Sequence, residues 1–176
     1  MFPVNARTLP ILLVALSACA GGPSAKGPDG KGATHALIGT PAPKVAGAPV
    51  KGLPRASVEH EGDVVIVDFW ATHCAPCVKA FPRLQELADR HKGKVHVVGI
   101  SEDEEEDGIA PFVKRTGVSF PMAWDKDKAI GQLYKVDSMP QTFVIDRAGK
   151  VRFVHRGYRA GEADGLEDEV KQLLAE

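Results

Sequence analysis

The amino-acid sequence predicts an α/β fold in which a mixed central sheet is flanked by helices. Residues 63–70 and 95–101 are two runs of apolar, mostly β-branched side chains, which is typical of buried central strands. The segment between them repeats apolar side chains at helical spacing, so the three elements form a parallel strand–helix–strand unit. Two further short strands, 142–146 and 151–155, are joined by a turn containing Gly149, which adds an antiparallel hairpin.

The helix of the first unit is predicted over 75–91. Pro76 lies in its first turn, where the missing N–H costs nothing, whereas Pro82 lies in the interior and predicts a kink. Gly93 ends the helix. Its buried face is predicted to comprise Val78, Phe81, Leu84, Leu87 and Ala88.

Four weaker elements complete the predicted fold. A helix is expected over about 104–116, a short strand near 120–123 and a short helix near 128–134, and residues 161–176 end the chain as an amphipathic helix. The acidic run 102–107 is interpreted as the solvated start of the second helix, where carboxylates favour the helix dipole. A partner-docking patch is the alternative interpretation of this run.

Composition narrows the class of protein. The chain has 176 residues, of which 44% are hydrophobic and 26% charged, as expected for one globular domain with a short extension. The net charge of −1 gives no support to a nucleic-acid partner. Three cysteines are too few for a disulfide scaffold, so their positions are more informative than their number.

The N-terminal residues 1–18 resemble a bacterial lipoprotein signal peptide. Arg7 supplies a positive charge, and the apolar stretch 9–16 is far shorter than the roughly 18–20 residues of a membrane-spanning helix. The stretch ends in Leu-Ser-Ala-Cys, which resembles a lipobox and predicts lipidation of Cys19. The alternatives are ordinary secretory cleavage and an incidental cysteine; lipidation or secretory cleavage would export the protein to a compartment where disulfides persist.

Residues 19–38 are rich in Gly, Pro, Ala and Lys and are predicted to be a flexible tether, or alternatively a disordered terminus. Residues 39–176 are then expected to form the folded domain. The expected location is the bacterial cell envelope, where the lipid-anchored domain faces the periplasm. Ala20, directly after Cys19, favours the outer membrane by analogy with the sorting signals of enteric bacteria.

The motif Cys74-Ala75-Pro76-Cys77 carries the predicted chemistry. Cys74 follows a buried strand and opens a helix, where unpaired N–H groups and the helix dipole stabilise a thiolate. Cys74 is therefore the expected nucleophile, and Cys77, nearly one turn later and more buried, can attack the resulting mixed disulfide. The alternatives are a structural disulfide and half of a zinc site, but zinc usually needs a second pair of ligands and the sequence holds no second cysteine pair.

Asp68 is a lone carboxylate in the otherwise apolar strand 63–70. Desolvation is expected to raise its pKa, which suits a base that accepts the Cys77 proton when the mixed disulfide is resolved. Alternatively, the alternation of side chains along the strand points Asp68 to a polar rim or to a backbone hydrogen bond.

Together with Met139-Pro140, these motifs resemble the TlpA/ResA-like branch of the thioredoxin superfamily, a group of exported and tethered oxidoreductases. The resembling stretches are 64–82 (VVIVDFWATHCAPCVKAFP), 97–101 (VVGIS), 120–121 (FP) and 138–146 (SMPQTFVID), and the likeness covers roughly 39–176. The resemblance implies a thioredoxin-like fold and a cis Met139–Pro140 peptide beside the disulfide. A trans proline at the start of a strand is the alternative.

The resemblance also implies how a substrate is held. In the family, the backbone before the proline pairs with the incoming chain, so Pro140 is counted among the catalytic residues. The predicted substrate contacts are Trp70, His73, Ala75, Pro76 and Met139.

Three positions depart from the usual pattern of that branch. His73 stands where the family usually has a second Trp, and it either adds a titratable charge beside the nucleophile or has no role. Ala80 stands where many members have Glu, which removes an acid that would tune the cysteines. Asp68 stands where many members have Asn.

The predicted function is that of a thiol-disulfide oxidoreductase acting on protein disulfides. The resemblance implies a reductant, for example of haem-site cysteines in cytochrome c apoproteins or of copper-site cysteines. Its expected partners are a substrate protein with a disulfide or dithiol and an upstream membrane electron donor. No cofactor is expected.

Two other functions would use the same cysteines. A Cu(I) carrier would bind the metal through Cys74, Cys77 and His73, because thiolate and imidazole suit Cu(I). A peroxiredoxin-type peroxidase would normally have Thr or Ser three residues before the nucleophile, where this sequence has Ala71.

Overall fold

The computed structural model describes residues 35–45, 47–56, 62–158 and 162–176. The predicted signal peptide, the lipidation site Cys19 and most of the predicted tether lie outside these residues. The described elements are β1 (Ala48–Pro49), β2 (Val64–Trp70), α1 (Ala75–Arg90), β3 (Val95–Ser101), α2 (Ile109–Thr116), β4 (Met122–Trp124), α3 (Ala129–Tyr134), β5 (Gln141–Ile145), β6 (Val151–Arg156) and α4 (Glu162–Ala175).

The described strands form one six-stranded sheet in the order β1-β4-β3-β2-β5-β6. β2 pairs in parallel with β3, and β3 with β4, while β5 runs antiparallel to both β2 and β6. The sheet is therefore mixed, as predicted. The β5–β6 turn places Gly149 at φ 75°, a left-handed conformation that glycine adopts without strain.

Alternation along β2 builds two hydrophobic cores. Val64, Ile66 and Trp70 face a cluster formed with α1, α2 and α4. Val65 and Phe69 face the opposite cluster, which includes side chains of α3 and β5. Helices therefore cover both faces of the sheet, which is why its central strands are almost entirely apolar.

The first helix begins and ends close to the predicted positions and continues through Pro82. Because Pro82 has no N–H, the Val78 carbonyl lacks its helical donor. Val78 was expected on the buried face, but this expectation is wrong, since the side chain is 42% exposed. Phe81, Leu84 and Leu87 carry the buried face without it.

The second helix begins at Ile109, five residues later than predicted. The acidic run before it is not a solvated helix start throughout, because Asp103 is buried and the side chain of Glu102 is only 12% exposed. The Glu106 carboxylate accepts a hydrogen bond from the Lys51 N–H instead of capping the helix. Carboxylates that the sequence predicted to interact with the helix dipole therefore make tertiary contacts instead.

The folded domain includes residues before the predicted boundary at Gly39. His35 is buried, with its ring 5.2 Å from that of Phe143, and Leu37 packs on the α3 side of the sheet. Burial lowers the pKa of His35. The end of the predicted tether 19–38 is thus part of the domain, which the Gly- and Pro-rich composition did not indicate.

Candidate active site

Cys74 occupies the N-cap of α1, directly after the turn that follows β2. Its backbone is extended, at φ −86° and ψ 93°, and its sulfur accepts a hydrogen bond from the Cys77 N–H at 3.3 Å. Cys74 and Cys77 form a disulfide of 2.04 Å with Cα atoms 5.4 Å apart. Cys74 is 7% exposed and Cys77 is fully buried, so Cys74 is the more accessible residue of the pair.

The turn that presents Cys74 is held from both sides. The Cys74 N–H donates to the Ala71 carbonyl at 3.0 Å, and the Thr72 N–H and hydroxyl both donate to the buried carboxylate of Asp103. Asp103 lies just beyond the end of β3, which pairs in register with β2. The parallel pairing therefore brings the end of one strand under the loop that follows its neighbour.

Trp70 ends β2 inside the core. Its ring stacks on Phe112 at 5.1 Å and meets Phe81 edge-on at 5.0 Å. Its side chain has no exposed surface, so the prediction that Trp70 contacts substrate is wrong. The residue instead supports the loop from below, because the indole is large enough to link α1 and α2 to the sheet.

The other predicted contact residues lie at the surface around Cys74. Ala75 and Pro76 are exposed, and the side chain of His73 is 72% exposed with Nδ1 3.8 Å from Asp103 Oδ1. The disulfide is therefore bordered by small side chains and one imidazole, and not by a large aromatic group.

Asp68 is completely buried on the same face of β2 as Ile66 and Trp70, the face that carries the cluster containing both cysteines. Thr142, its register partner on β5, donates a hydroxyl hydrogen bond to Oδ1 at 2.7 Å. Oδ2 has no hydrogen-bond partner among the described residues. Burial raises the pKa of Asp68 to about 7, and the Thr142 hydrogen bond opposes the rise.

This environment excludes the polar rim that was one alternative for Asp68. A backbone hydrogen bond was the other, and the described donor is the Thr142 hydroxyl instead. Asp68 is therefore a carboxyl that changes charge near neutral pH, on the face of the sheet that carries the cysteine-containing cluster.

The segment before β5 contains the cis peptide Met139–Pro140, in the isomer that the family resemblance implied. Pro140 is buried, and its carbonyl accepts a hydrogen bond from the Gly157 N–H at 2.7 Å. Met139 is half-buried and packs against the cluster that contains both cysteines. The cis peptide and the disulfide thus belong to one site.

Residues 38–154 match the AhpC/TSA family. The chain belongs to this family of thioredoxin-fold proteins. Thiol-disulfide oxidoreductase ResA of Bacillus thuringiensis subsp. konkukian is 33% identical over 137 residues, which cover 77% of this chain and 78% of the relative. A ResA of Bacillus cereus is 36% identical over 115 residues, which cover 65% of this chain and 66% of that relative.

A candidate thiol:disulfide interchange protein DsbE from Chlorobium tepidum has a similar solved structure. Its TM-score is 0.70 at 30% identity, and the match covers 76% of this chain and 95% of that one. With a cysteine pair at disulfide distance, the chain is a thiol-disulfide oxidoreductase of the ResA/DsbE type. The predicted thioredoxin-like fold is confirmed.

Two open grooves flank the cis-proline segment of this oxidoreductase. One, of about 710 Å³, adjoins Pro140 and Thr142 and runs between α1 and α4, with Ala80 in its wall. The other, of about 410 Å³, adjoins Met139 and is lined by Glu102 and by residues of α3. Surface grooves therefore lie next to both residues of the cis peptide, Met139 and Pro140.

Glu102 is a titratable residue that lines the second groove. From the sequence it was predicted only to be part of a solvated acidic segment. Burial and the nearby carboxylate of Asp125 raise the pKa of Glu102 to about 7, and Lys128 partly opposes them. Asp125 itself accepts the N–H groups of Ile130 and Gly131 at the start of α3. Two acidic side chains thus meet at this end of the sheet.

Sequence reasoning also missed Asp103 and Thr142 as parts of the site. Asp103 is 31 residues from Thr72, and Thr142 is 74 residues from Asp68, so strand register alone brings each pair together. The available signals were weak: Asp103 lies two residues beyond a buried strand, and Thr142 is a polar residue directly before the apolar run 143–145.

Two structural observations concern the residues that the alternative functions would use. Within the described ranges no group of three or more His, Cys, Asp or Glu side chains is arranged to hold a metal. Ala71 is buried and its carbonyl accepts a hydrogen bond from the Cys74 N–H, and the residue has no side-chain hydroxyl.

Among the residues that the structure describes, every helix is too short or too polar to cross a membrane.

Proposed function

We propose that the protein reduces disulfides of substrate proteins in the bacterial cell envelope. The observation that carries the chemistry is the asymmetry of the pair: Cys74 lies at a helix N-cap and is 7% exposed, whereas Cys77 is fully buried. The helix N-terminus stabilises negative charge on Cys74, and burial keeps Cys77 protonated until the first has reacted.

In the proposed cycle, the Cys74 thiolate attacks a sulfur of the substrate disulfide. A Cys74–substrate disulfide forms and the other substrate sulfur leaves as a thiolate. Cys77 then attacks the Cys74 sulfur, which forms the disulfide described here and releases the second substrate thiol. Asp68 accepts the Cys77 proton in this step, because a carboxyl with a pKa of about 7 is unprotonated in a useful fraction at neutral pH.

The substrate is proposed to bind as an extended chain along the cis-proline segment. Met139 and the surface residues His73, Ala75 and Pro76 border the disulfide, and the two grooves continue the path on either side. Backbone pairing at Met139 would supply affinity without selecting a particular side chain. Pro140 has no N–H, so it adds no donor beside the sulfurs.

The direction of electron flow is proposed from the family resemblance. A membrane donor would reduce the Cys74–Cys77 disulfide after each turnover, and haem-site or copper-site cysteines of exported proteins are the proposed substrates. A reduction potential near thioredoxin's, about −270 mV, would support a reductant, whereas one near about −120 mV would contradict this direction.

A disulfide-bearing protein such as insulin, with dithiothreitol as electron source, tests the cycle. Cys74→Ser should abolish catalysed reduction. Cys77→Ser should accumulate a mixed disulfide through Cys74 that is detectable by mass spectrometry but turns over poorly. Rapid turnover by Cys77→Ser, or full activity of Cys74→Ser, would contradict the assigned roles.

The proposed location depends on Cys19 and on residues 1–18, with 19–34 as the tether. A signal-like segment followed by a cysteine supports lipid anchoring. Full-length protein expressed in a bacterium should fractionate with membranes, and Cys19→Ala should release it into the periplasmic fraction. Membrane retention of the variant would contradict the lipid anchor.

A further inference from the structure

Asp103 is a buried carboxylate beneath the turn that presents Cys74. It is 7% exposed, and both of its oxygens lie 3.0 Å from the Thr72 nitrogen, whose N–H they share. The Thr72 hydroxyl donates to Oδ1 at 2.6 Å and the Ser101 hydroxyl to Oδ2 at 2.8 Å. A group that only accepts from several donors is satisfied as a carboxylate ion.

The donors that satisfy this carboxylate are all neutral. The nearest described cation-forming group is the imidazole of His73, 3.8 Å away and largely in solvent. The Lys128 ammonium lies close by but donates to the main-chain oxygens of Glu102 and Asp103, not to the carboxylate. The negative charge of Asp103 is therefore held beneath Thr72, two residues before Cys74, and no buried cation among the described residues pairs with it.

We infer that Asp103 is a positioning residue that also lowers the reduction potential of the Cys74–Cys77 pair. This inference rests on the proposed function, in which Cys74 is the thiolate. Reduction adds two electrons and one proton to the disulfide and yields a Cys74 thiolate and a Cys77 thiol. A fixed negative charge disfavours that anionic product and leaves the neutral disulfide unaffected, so it favours the oxidised form.

The helix N-terminus and Asp103 act in opposite directions on the same sulfur. The helix dipole and the Cys77 N–H stabilise the thiolate, which favours reaction with substrate. The carboxylate offsets part of that stabilisation, which keeps the protein a stronger electron donor. The same side chain holds the Thr72 backbone, so one residue contributes both to the position of Cys74 and to the potential of the cysteine pair.

The test is the equilibrium of the protein with dithiothreitol buffers at pH 8, measured for wild type and Asp103→Asn. The variant should be easier to reduce by about tenfold in the equilibrium constant, which equals about 30 mV for a two-electron couple. Asp103→Ser is a second neutral variant in case the first does not fold, and Asp103→Glu should restore the wild-type potential.

Two controls separate charge from lost hydrogen bonds. Thr72→Ala removes the hydroxyl donor but keeps the carboxylate, and Asp107→Asn removes an exposed carboxylate from the same loop. Both should leave the potential near the wild-type value. Circular dichroism checks that each variant is folded.

An unchanged or lower potential in the folded neutral variants would overturn the inference, as would an equal rise in Thr72→Ala. These outcomes differ from failure of the proposed function. If wild-type protein exchanges with dithiothreitol but does not reduce protein disulfides, the proposed function fails, while the potentials of the variants still decide the role of Asp103.

Discussion

Replacing Asp68 by Asn should stabilise the oxidised protein, and the gain should grow with pH. Burial raises the pKa of this carboxyl from 3.8 to about 7. Between pH 3.8 and about pH 7, Asp68 keeps its proton in the folded protein but has lost it in the unfolded chain. The wild-type free energy of unfolding therefore falls as the pH rises through this window, and this loss of stability reaches its full size above about pH 7.

The magnitude follows from the size of the pKa shift. A rise of about three pKa units corresponds to about 4 kcal/mol of destabilisation at alkaline pH. Asn has no proton to lose, and its side-chain oxygen can still accept the Thr142 hydrogen bond. The advantage of Asp68→Asn should therefore increase by about 3 kcal/mol between pH 5 and pH 9, because the pKa of about 7 lies about two units above the lower pH.

Urea unfolding of the oxidised proteins, followed by tryptophan fluorescence at both pH values, measures this difference. Thr142→Val is the matched control: it removes the hydrogen bond that favours the charged form, so it should lose more stability at pH 9 than at pH 5. A difference between wild type and Asp68→Asn that does not change with pH would refute the argument that Asp68 titrates inside the folded domain.

Two packing predictions follow from the same structure. Gly99→Ala should lower the free energy of unfolding by about 1–3 kcal/mol, because its Cβ would lie 2.3 Å from the sulfur of the fully buried Met122. Gly165→Ala, a helix position with open space, should not lower it. Phe81→Ala should cost about 3–5 kcal/mol, and Leu133→Ala, at a side chain 57% exposed, should cost less than about 0.5 kcal/mol. Urea melts check each pair, and equal effects within either pair would contradict the packing argument.

Most of the elements were predictable because their signals are local. β3 coincides with the predicted strand, and β2 and α1 differ from their predicted bounds by one residue. A run of apolar β-branched residues or a repeated apolar spacing is a property of neighbouring residues, so it can be recognised without knowing what lies opposite. The N-cap position of Cys74 follows in the same way from a strand that ends four residues earlier.

The wrong predictions concern which side chains are buried and which groups the polar side chains contact. Val78 fits the apolar spacing of α1 but faces solvent, and Trp70 was placed at the substrate surface but is enclosed by Phe81 and Phe112. The spacing of apolar residues shows which side chains share one face of a helix, but it does not show whether another element packs against that face. Asp103 was predicted to be one of several solvated acidic residues. The pairing of β2 with β3 instead places it beneath the turn at Thr72, where it accepts a hydrogen bond from the Thr72 N–H.

The sequence by itself determined the reactive pair. Two cysteines three residues apart at a helix start must share one turn, and the first must lie among unpaired N–H groups. Only the tertiary structure decided the electrostatic surroundings of that pair. Thr142 reaches Asp68 from 74 residues away, and Asp103 reaches Thr72 from 31 residues away. The register of distant strands sets where these two carboxyl groups are buried, and no local pattern encodes that register.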